Sequence, residues 1–333
     1  MRVWPVVLRC VATLVVVASF AWVAMALAYQ LPGGTLGKSL GIVVWSAIGV
    51  FALVLMWRGR AGRSAVVALA ALALFGLWWR GIAPSDTRDW ADDVAKHVES
   101  KVDGDIVTLT NVRNFAWTHD HHYDARWETR RYDLRLLRSV DVICSYWMGP
   151  AIAHTLVSFG FDDGQFVTFS IEIRKERDET FSAIGGFFKM FETTLIAADE
   201  RDILWVRTNA REEQVYVYRI ANIGRDEMRA LFMGYLDEGR ELVEAPRWYH
   251  TVTGNCTTMV YDIARVVVRA LPLDYRLLVS GYLPEYLYDY GALTPGVDLE
   301  TLRARGRINE RALAADQDPA FSARIREGIP GAP

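Results

Sequence analysis

Apolar residues are distributed along the chain in two ways. From Val3 to Tyr29, Leu40 to Trp57 and Ser64 to Trp79 they form nearly unbroken runs that carry almost no charge. Each run is about long enough to cross a bilayer core, which predicts three transmembrane helices at about 3–29, 40–57 and 64–79. Beyond Arg80 the apolar positions become periodic. Strand-like alternation marks Ile106 to Val112, and Ile143 to Trp147 reads as another strand. The clearest hairpin joins Ala151–Phe161 to Gln165–Arg174 through Asp162-Asp163-Gly164, where glycine supplies the left-handed turn. If Phe161 faces Gln165, His154 falls opposite Glu172, and a one-residue slip would move Glu172 off that face. Leu195–Ala198, Ile203–Thr208 and Gln214–Ile220 read as further strands. Helical spacing predicts helices over Thr87–Glu99, Phe181–Glu192 and Arg225–Glu244, the last with Met228, Leu231, Phe232, Tyr235 and Leu242 on its core side. Another helix starts at Cys256, with Met259, Val260, Ile263, Ala264 and Val267 on one side. Tyrosine-rich helical segments (Tyr275 to Tyr290) and a charged tail follow, with Pro330–Pro333 expected to fray. The pattern is α+β: mostly antiparallel strands with helices segregated around them. It divides the chain into a membrane anchor (1–80), a linker and lead-in (81–114) and a folded domain (115–331).

Composition and charge add orientation. The chain has 333 residues, 52% of them hydrophobic, and a mean hydropathy of +0.10. The first span is too long for a signal-peptide core and lacks a small-residue cleavage site before Gln30. Arg2 and Arg9 lie before or early in it, Lys38 alone marks the first loop, and Arg58, Arg60 and Arg63 crowd the second. The positive-inside rule then puts the N-terminus in the cytoplasm and everything after Arg80 outside, which in a Gram-negative cell means an inner-membrane protein with a periplasmic domain. A net charge of −3 with no dominant basic stripe argues against a nucleic-acid partner. Cysteine occurs three times, at Cys10, Cys144 and Cys256. A domain of roughly 250 residues builds its core without disulfide staples, although a Cys144–Cys256 pair stays open on sequence alone.

Gly254-Asn255 reads as the turn that starts the Cys256 helix. Unpaired N–H groups and the helix dipole at such a start favour a thiolate. A nucleophilic thiol also needs a base and a group to orient that base, and His154 and Glu172 are the candidates. The plain alternative is a small buried cysteine and a satisfied strand histidine. His250, six residues before the thiol, is a second candidate base, placed in a less fixed loop. Glu172, Arg174 and Glu176 alternate along one strand face. They form either a solvated edge or a site in which Arg174 fixes Glu172 or binds a lipid phosphate. Asn255 caps the helix or supports an oxyanion. The adjacent side chains of His119-Asp120-His121-His122 do not easily converge on one centre, so no metal and no cofactor is expected. Trp117, Trp127, Trp147, Trp248 and Tyr286 suit a core or a membrane interface.

The strings Ala-Ile-Ala-His-Thr-Leu-Val-Ser-Phe-Gly-Phe-Asp-Asp-Gly (151–164), Ser-Ile-Glu-Ile-Arg-Lys-Glu (170–176) and Gly-Asn-Cys-Thr-Thr (254–258) resemble the Lnb N-terminal periplasmic domain family. That family is similar to circularly permuted, papain-like thiol hydrolases of the NlpC kind, in which the histidine strand precedes the cysteine helix. The resemblance spans roughly Phe115 to Gly331. It implies Cys256 as nucleophile, His154 as base, and transfer of a fatty acyl group from a membrane phospholipid to the N-terminal amine of a lipoprotein. Two other functions use or bypass the same residues: a cysteine peptidase or amidase acting on peptidoglycan peptides, and a non-catalytic envelope scaffold. No separate wall-binding module accompanies the domain, which weighs against the peptidase.

Overall fold

The structure, a computed structural model, describes residues 3–268 and 271–332. Arg2 and Pro333, which entered the orientation and tail expectations, lie outside the described residues. The chain forms two compact units, Met1–Ser85 with Ser182–Met190, and Asp86–Phe181 with Phe191–Pro333.

The first unit contains α1 (Val3–Gln30), α2 (Gly34–Trp57) and α3 (Ala61–Gly81). All three are long and apolar enough to cross a membrane. The second and third begin before the apolar windows at 40 and 64, because short polar lead-ins also take helical geometry. The α2–α3 reversal uses Gly59 in the left-handed region (φ 79°), with Arg60 N–H closing back on the Leu55 carbonyl. Trp45 stacks on Phe20 at 4.6 Å and donates its indole N–H to the Phe20 carbonyl at 3.0 Å, while Ser64 Oγ donates to the Ala52 carbonyl at 2.7 Å. A Cβ at Gly49 would sit 2.7 Å from the Phe20 ring, so the small residue permits the close approach of α1 and α2. The helix expected over 181–192 is instead a loop with one 3-10 turn, Gly185–Phe187. Lys189 there has φ +56°, and tertiary contacts replace helical ones. Phe188 stacks on Tyr29, Gln30 Nε2 donates to the Phe188 and Lys189 carbonyls, and Lys189 Nζ donates to the Trp79 and Ile82 carbonyls.

In the second unit the strands are β1 (Glu99–Asp103), β2 (Ile106–Arg113), β3 (Ala116–His119), β4 (His122–Asp124), β5 (Trp127–Asp133), β6 (Leu137–Tyr146), β7 (His154–Phe161), β8 (Phe166–Arg174), β9 (Glu192–Ala198) and β10 (Gln214–Arg219). Eight form one sheet, ordered β1-β2-β9-β8-β7-β6-β10 with β5 also on β2, and β3–β4 is a separate hairpin. Every pairing is antiparallel except β2 with β9. The helices are α4 (Glu200–Ile203), α5 (Arg225–Glu244), α6 (Cys256–Val267), α7 (Leu283–Asp289), α8 (Leu299–Gly306), α9 (Asn309–Ala315) and α10 (Phe321–Arg324). The unit is therefore α+β. One apolar core joins Val157, Phe159 and Phe169 of the sheet to Phe232 and Tyr235 of α5 and Met259 and Ile263 of α6. A second joins Leu156 and Ile196 to Ile203, Ile308, Phe321 and Ile325. Strands β7 and β8 are thus covered on both faces, and their sequences read as apolar runs more than as clean alternation.

Several expected elements differ. The helix expected over Thr87–Glu99 is absent: Ala91 N–H bonds the Lys175 carbonyl, Trp90 bridges Glu176, and only a 3-10 turn at Asp92–Val94 precedes β1. The segment is held by partners at the end of β8 and not by its own periodicity. Ile203–Thr208 is not a strand; α4 runs into a wide turn at Val206–Ala210 with π-type bonding. The charged tail folds as α8 to α10, and Pro330 is held by Thr294 Oγ1 at 2.9 Å. Arg326, almost fully buried, pairs with Asp141 at 2.8 Å and Glu200 at 2.7 Å, an ion cluster assembled from three distant segments with no local pattern to announce it.

Candidate functional site

Cys256 is the first residue of α6 and is buried. Asn255 caps the helix: its Oδ1 accepts from the Thr257 and Thr258 N–H groups at 2.9 and 3.0 Å, and its Nδ2 donates to the Thr251 carbonyl at 2.8 Å. Thr258 Oγ1 accepts the Asn255 N–H at 3.0 Å. Both ends of the Asn255 amide are therefore engaged in starting the helix, and of its two expected roles the structure supports the cap.

The β7–β8 ladder pairs Leu156 with Ser170 and Gly160 with Phe166, and Phe161 N–H bonds the Gln165 carbonyl. That is the register in which His154 meets Glu172. His154 Nε2 lies 2.7 Å from Ser170 Oγ and 3.1 Å from Glu172 Oε1. Ser170 Oγ donates its only proton to Glu172 Oε1 at 2.7 Å, so Nε2 must be the donor to Ser170. In the neutral tautomer this leaves Nδ1 as the basic nitrogen for the thiol. Behind them Arg207 donates to Glu172 Oε1 at 2.9 Å and to Glu213 Oε2 at 3.3 Å, and Ser145 Oγ bonds Glu213 at 2.5 Å. Thiol, imidazole, carboxylate, guanidinium and carboxylate follow one another from Cys256 to Glu213.

The electrostatics follow from this order. Burial disfavours an imidazolium at His154, but the charges of Glu172 and Cys256 outweigh it and push the group up to about 9. Burial likewise works against a Cys256 thiolate, yet His154 and the Thr155 backbone N–H bring the thiol below its ordinary value. Glu172, despite burial, is held well below the usual carboxylate range by His154, Arg207 and Ser170. The ion-paired form of thiol and imidazole is thereby favoured. Tyr249 was not singled out from sequence. Its half-buried phenol is kept protonated by burial and by the charges of Cys256 and Glu172.

Other sequence candidates lie elsewhere. Arg174 does not fix Glu172. It stacks over Trp90 at 4.5 Å, bonds the Val94 and Ala95 carbonyls, and pairs with Asp86 beside His97. Glu176 pairs with Arg88 at 2.8 Å. His250 closes its own turn, Nδ1 accepting from Thr253 N–H at 3.2 Å. All three cysteines are free, so the Cys144–Cys256 disulfide is absent; burial pushes the Cys144 thiol strongly up. His119, His121 and His122 lie at the exposed β3–β4 turn, where Asp120 pairs with Arg211. Trp147, expected in a core or at an interface, is exposed, whereas Trp117 and Tyr286 are buried. The residues missed from sequence were Ser170, Arg207, Glu213 and Tyr249. Ser170 was readable as the same-face neighbour of Glu172, whereas Arg207 was hidden in a segment that resembles a strand.

An α+β domain on a chain with three helices able to cross a membrane defines a membrane-anchored protein. Residues 123–281 match the family model of the Lnb N-terminal periplasmic domain; over that segment the chain is similar to this family, and with the three apolar helices this fits a membrane protein with a periplasmic C-terminal domain. His154, Ser170, Glu172, Arg207, Tyr249 and Cys256 all fall inside the matched segment. No curated protein and no solved structure matches the chain.

Proposed function

We propose that this protein is a periplasmic thiol acyltransferase, anchored in the inner membrane with its N-terminus in the cytoplasm, that N-acylates lipoproteins. The observation that carries this reading is His154 held between a helix-borne thiol and the buried Glu172–Arg207 pair. The Cys256 thiolate attacks an ester carbonyl of a phospholipid: a C–S bond forms, the ester C–O bond breaks, and His154 gives its proton to the departing lysophospholipid oxygen. The α-amine of the lipoprotein then attacks the thioester. The C–N bond forms, the C–S bond breaks, His154 takes the amine proton, and the thiolate–imidazolium pair is restored. Tyr249, whose phenol stays protonated near Cys256, serves in this reading as the donor to the developing oxyanion. Glu172 and Ser170 set the tautomer and ring orientation of His154, and Arg207 keeps Glu172 ionised. The order of histidine strand and cysteine helix agrees with a circularly permuted papain-like site. The few residues between Gly81 and Asp86 tether the domain within reach of lipid headgroups, which favours a lipid donor over a wall peptide.

The test is mass spectrometry of lipoprotein N-termini in a deletion strain that has no other N-acyltransferase. The wild-type gene should restore the third acyl chain and Cys256→Ala should not. Restoration by Cys256→Ala would overturn the mechanism. Unchanged lipoproteins with altered peptidoglycan peptides would favour a peptidase.

A further inference from the structure

Beside the thiol runs a cavity of about 290 Å³. Thr257, Val260, Tyr261, Ala264 and Val267 line it from α6, so it follows that helix from its first turn to its last. From Thr257 to Val267, about ten rises of about 1.5 Å make that course roughly 15 Å long. Val142 and Val157 of the sheet, Leu231 of α5 and Leu287 of α7 form the facing walls. Two of the tyrosines among these walls turn their polar ends away: Tyr261 Oη donates to the Leu271 carbonyl and Tyr286 Oη to the Pro272 carbonyl. Tyr235 differs. It is fully buried, lines the cavity, and its phenol has no hydrogen-bond partner among the described residues. At the thiol end, Thr257 Oγ1 is 3.9 Å from Cys256 Sγ, and the Tyr235 phenol is within electrostatic reach of Cys256. Val266 and Leu278, chain neighbours of the lining residues Val267 and Leu277, are exposed.

A long, narrow, apolar space beginning beside a nucleophile is the wrong shape and chemistry for a peptide backbone, whose polar groups would go unpaired. At about 30 Å³ per water-sized unit it takes a chain of roughly ten carbons. The larger open cleft, about 760 Å³, is lined by charged residues such as Arg211, Glu285 and Arg303 and suits a polar ligand. We infer that the cavity along α6 binds the hydrocarbon chain of the fatty acyl group carried on Cys256, with the buried, unpartnered Tyr235 phenol among its lining groups. The inference rests on the acyltransferase reading and adds to it a ruler for the donor: medium and long chains are selected, at up to about fourfold per buried methylene.

The experiment uses the full-length chain in phospholipid nanodiscs, p-nitrophenyl butyrate and dodecanoate as donors, and intact-mass detection of the adduct on Cys256. Wild type should load dodecanoyl at least tenfold faster than butyryl. Ala264→Trp, which fills the cavity, should lower that ratio at least tenfold, and the milder Ala264→Leu should lower it less. Equal ratios in wild type and both variants would overturn the inference. Loading by neither ester would instead contradict the acyltransferase reading, and a diazirine-bearing dodecanoic acid then decides the cavity by itself. Cross-links to α6 or to the Tyr235 peptide that unlabelled dodecanoate competes away, and that Ala264→Trp removes, uphold it; cross-links elsewhere or none overturn it.

Discussion

The charge on His154 sets the state of every group around it. Its value of about 9 lies above the 6.5 of an unconstrained imidazole. The stabilisation that its charge gives the fold is therefore fully present below about 6.5 and is lost as pH rises through about 9. Glu172 has the opposite sign: its contribution is present above the ordinary carboxylate range and is lost as pH falls through its lowered value. Above the lowered Cys256 value and below about 9 the thiolate stands beside an imidazolium. Iodoacetamide should accordingly alkylate Cys256 at pH 6.5. His154→Ala should cut that rate at least tenfold and move the reaction to higher pH, with Glu172→Gln falling between. A pH–rate profile unchanged in His154→Ala, read by peptide mass so that Cys10 and Cys144 are distinguished, would contradict the coupling. Cys256, His154 and Glu172 were legible because a helix start and a hairpin register are local features. Arg207 was not, since only the folded chain brings the turn after α4 under β8. Arg174 was expected on a solvated edge, or fixing Glu172 or a lipid phosphate; it is buried against Asp86 instead, a partner that comes from the misread lead-in.

Two elements place these groups, and each depends on local chemistry that can be altered. Helix α6 starts where Asn255 closes both sides of a capping box with Thr258. Removing that cap costs about 1 kcal/mol. For a domain of this size Asn255→Ala should lower the melting temperature by about 2–4 °C. An unchanged melting temperature would show that tertiary packing, and not the cap, fixes the helix start. The β7–β8 hairpin and α5 were both readable from sequence, the first from its Asp-Asp-Gly turn and the second from its amphipathic period; α5 spans Arg225–Glu244 as expected. The segments at 87–99, 181–192 and 203–208 were misread because their conformations are set by distant partners: the end of β8, the helix termini of the first unit, and Arg113 and Trp117 holding Asp202 of α4.

At the scale of the molecule, the three apolar helices stood out from sequence because an uncharged apolar run of bilayer length is rare in a water-exposed fold. The two-sided covering of the sheet did not, since α9 and α10 are short and charged and bury few side chains against it, Ala312, Ala315 and Phe321 with the flanking Ile308 and Ile325. On the proposed function the whole arrangement serves one chemical event, transfer of an acyl group across a single thiol. The most direct measurement is the mass of the Cys256 peptide after the full-length protein is mixed with phospholipid and the reaction is quenched in acid. A hydroxylamine-sensitive increase of one fatty acyl group is predicted, discharged by adding a diacyl lipopeptide and absent in His154→Ala. Acylation of the lipopeptide that proceeds undiminished in Cys256→Ala would contradict it.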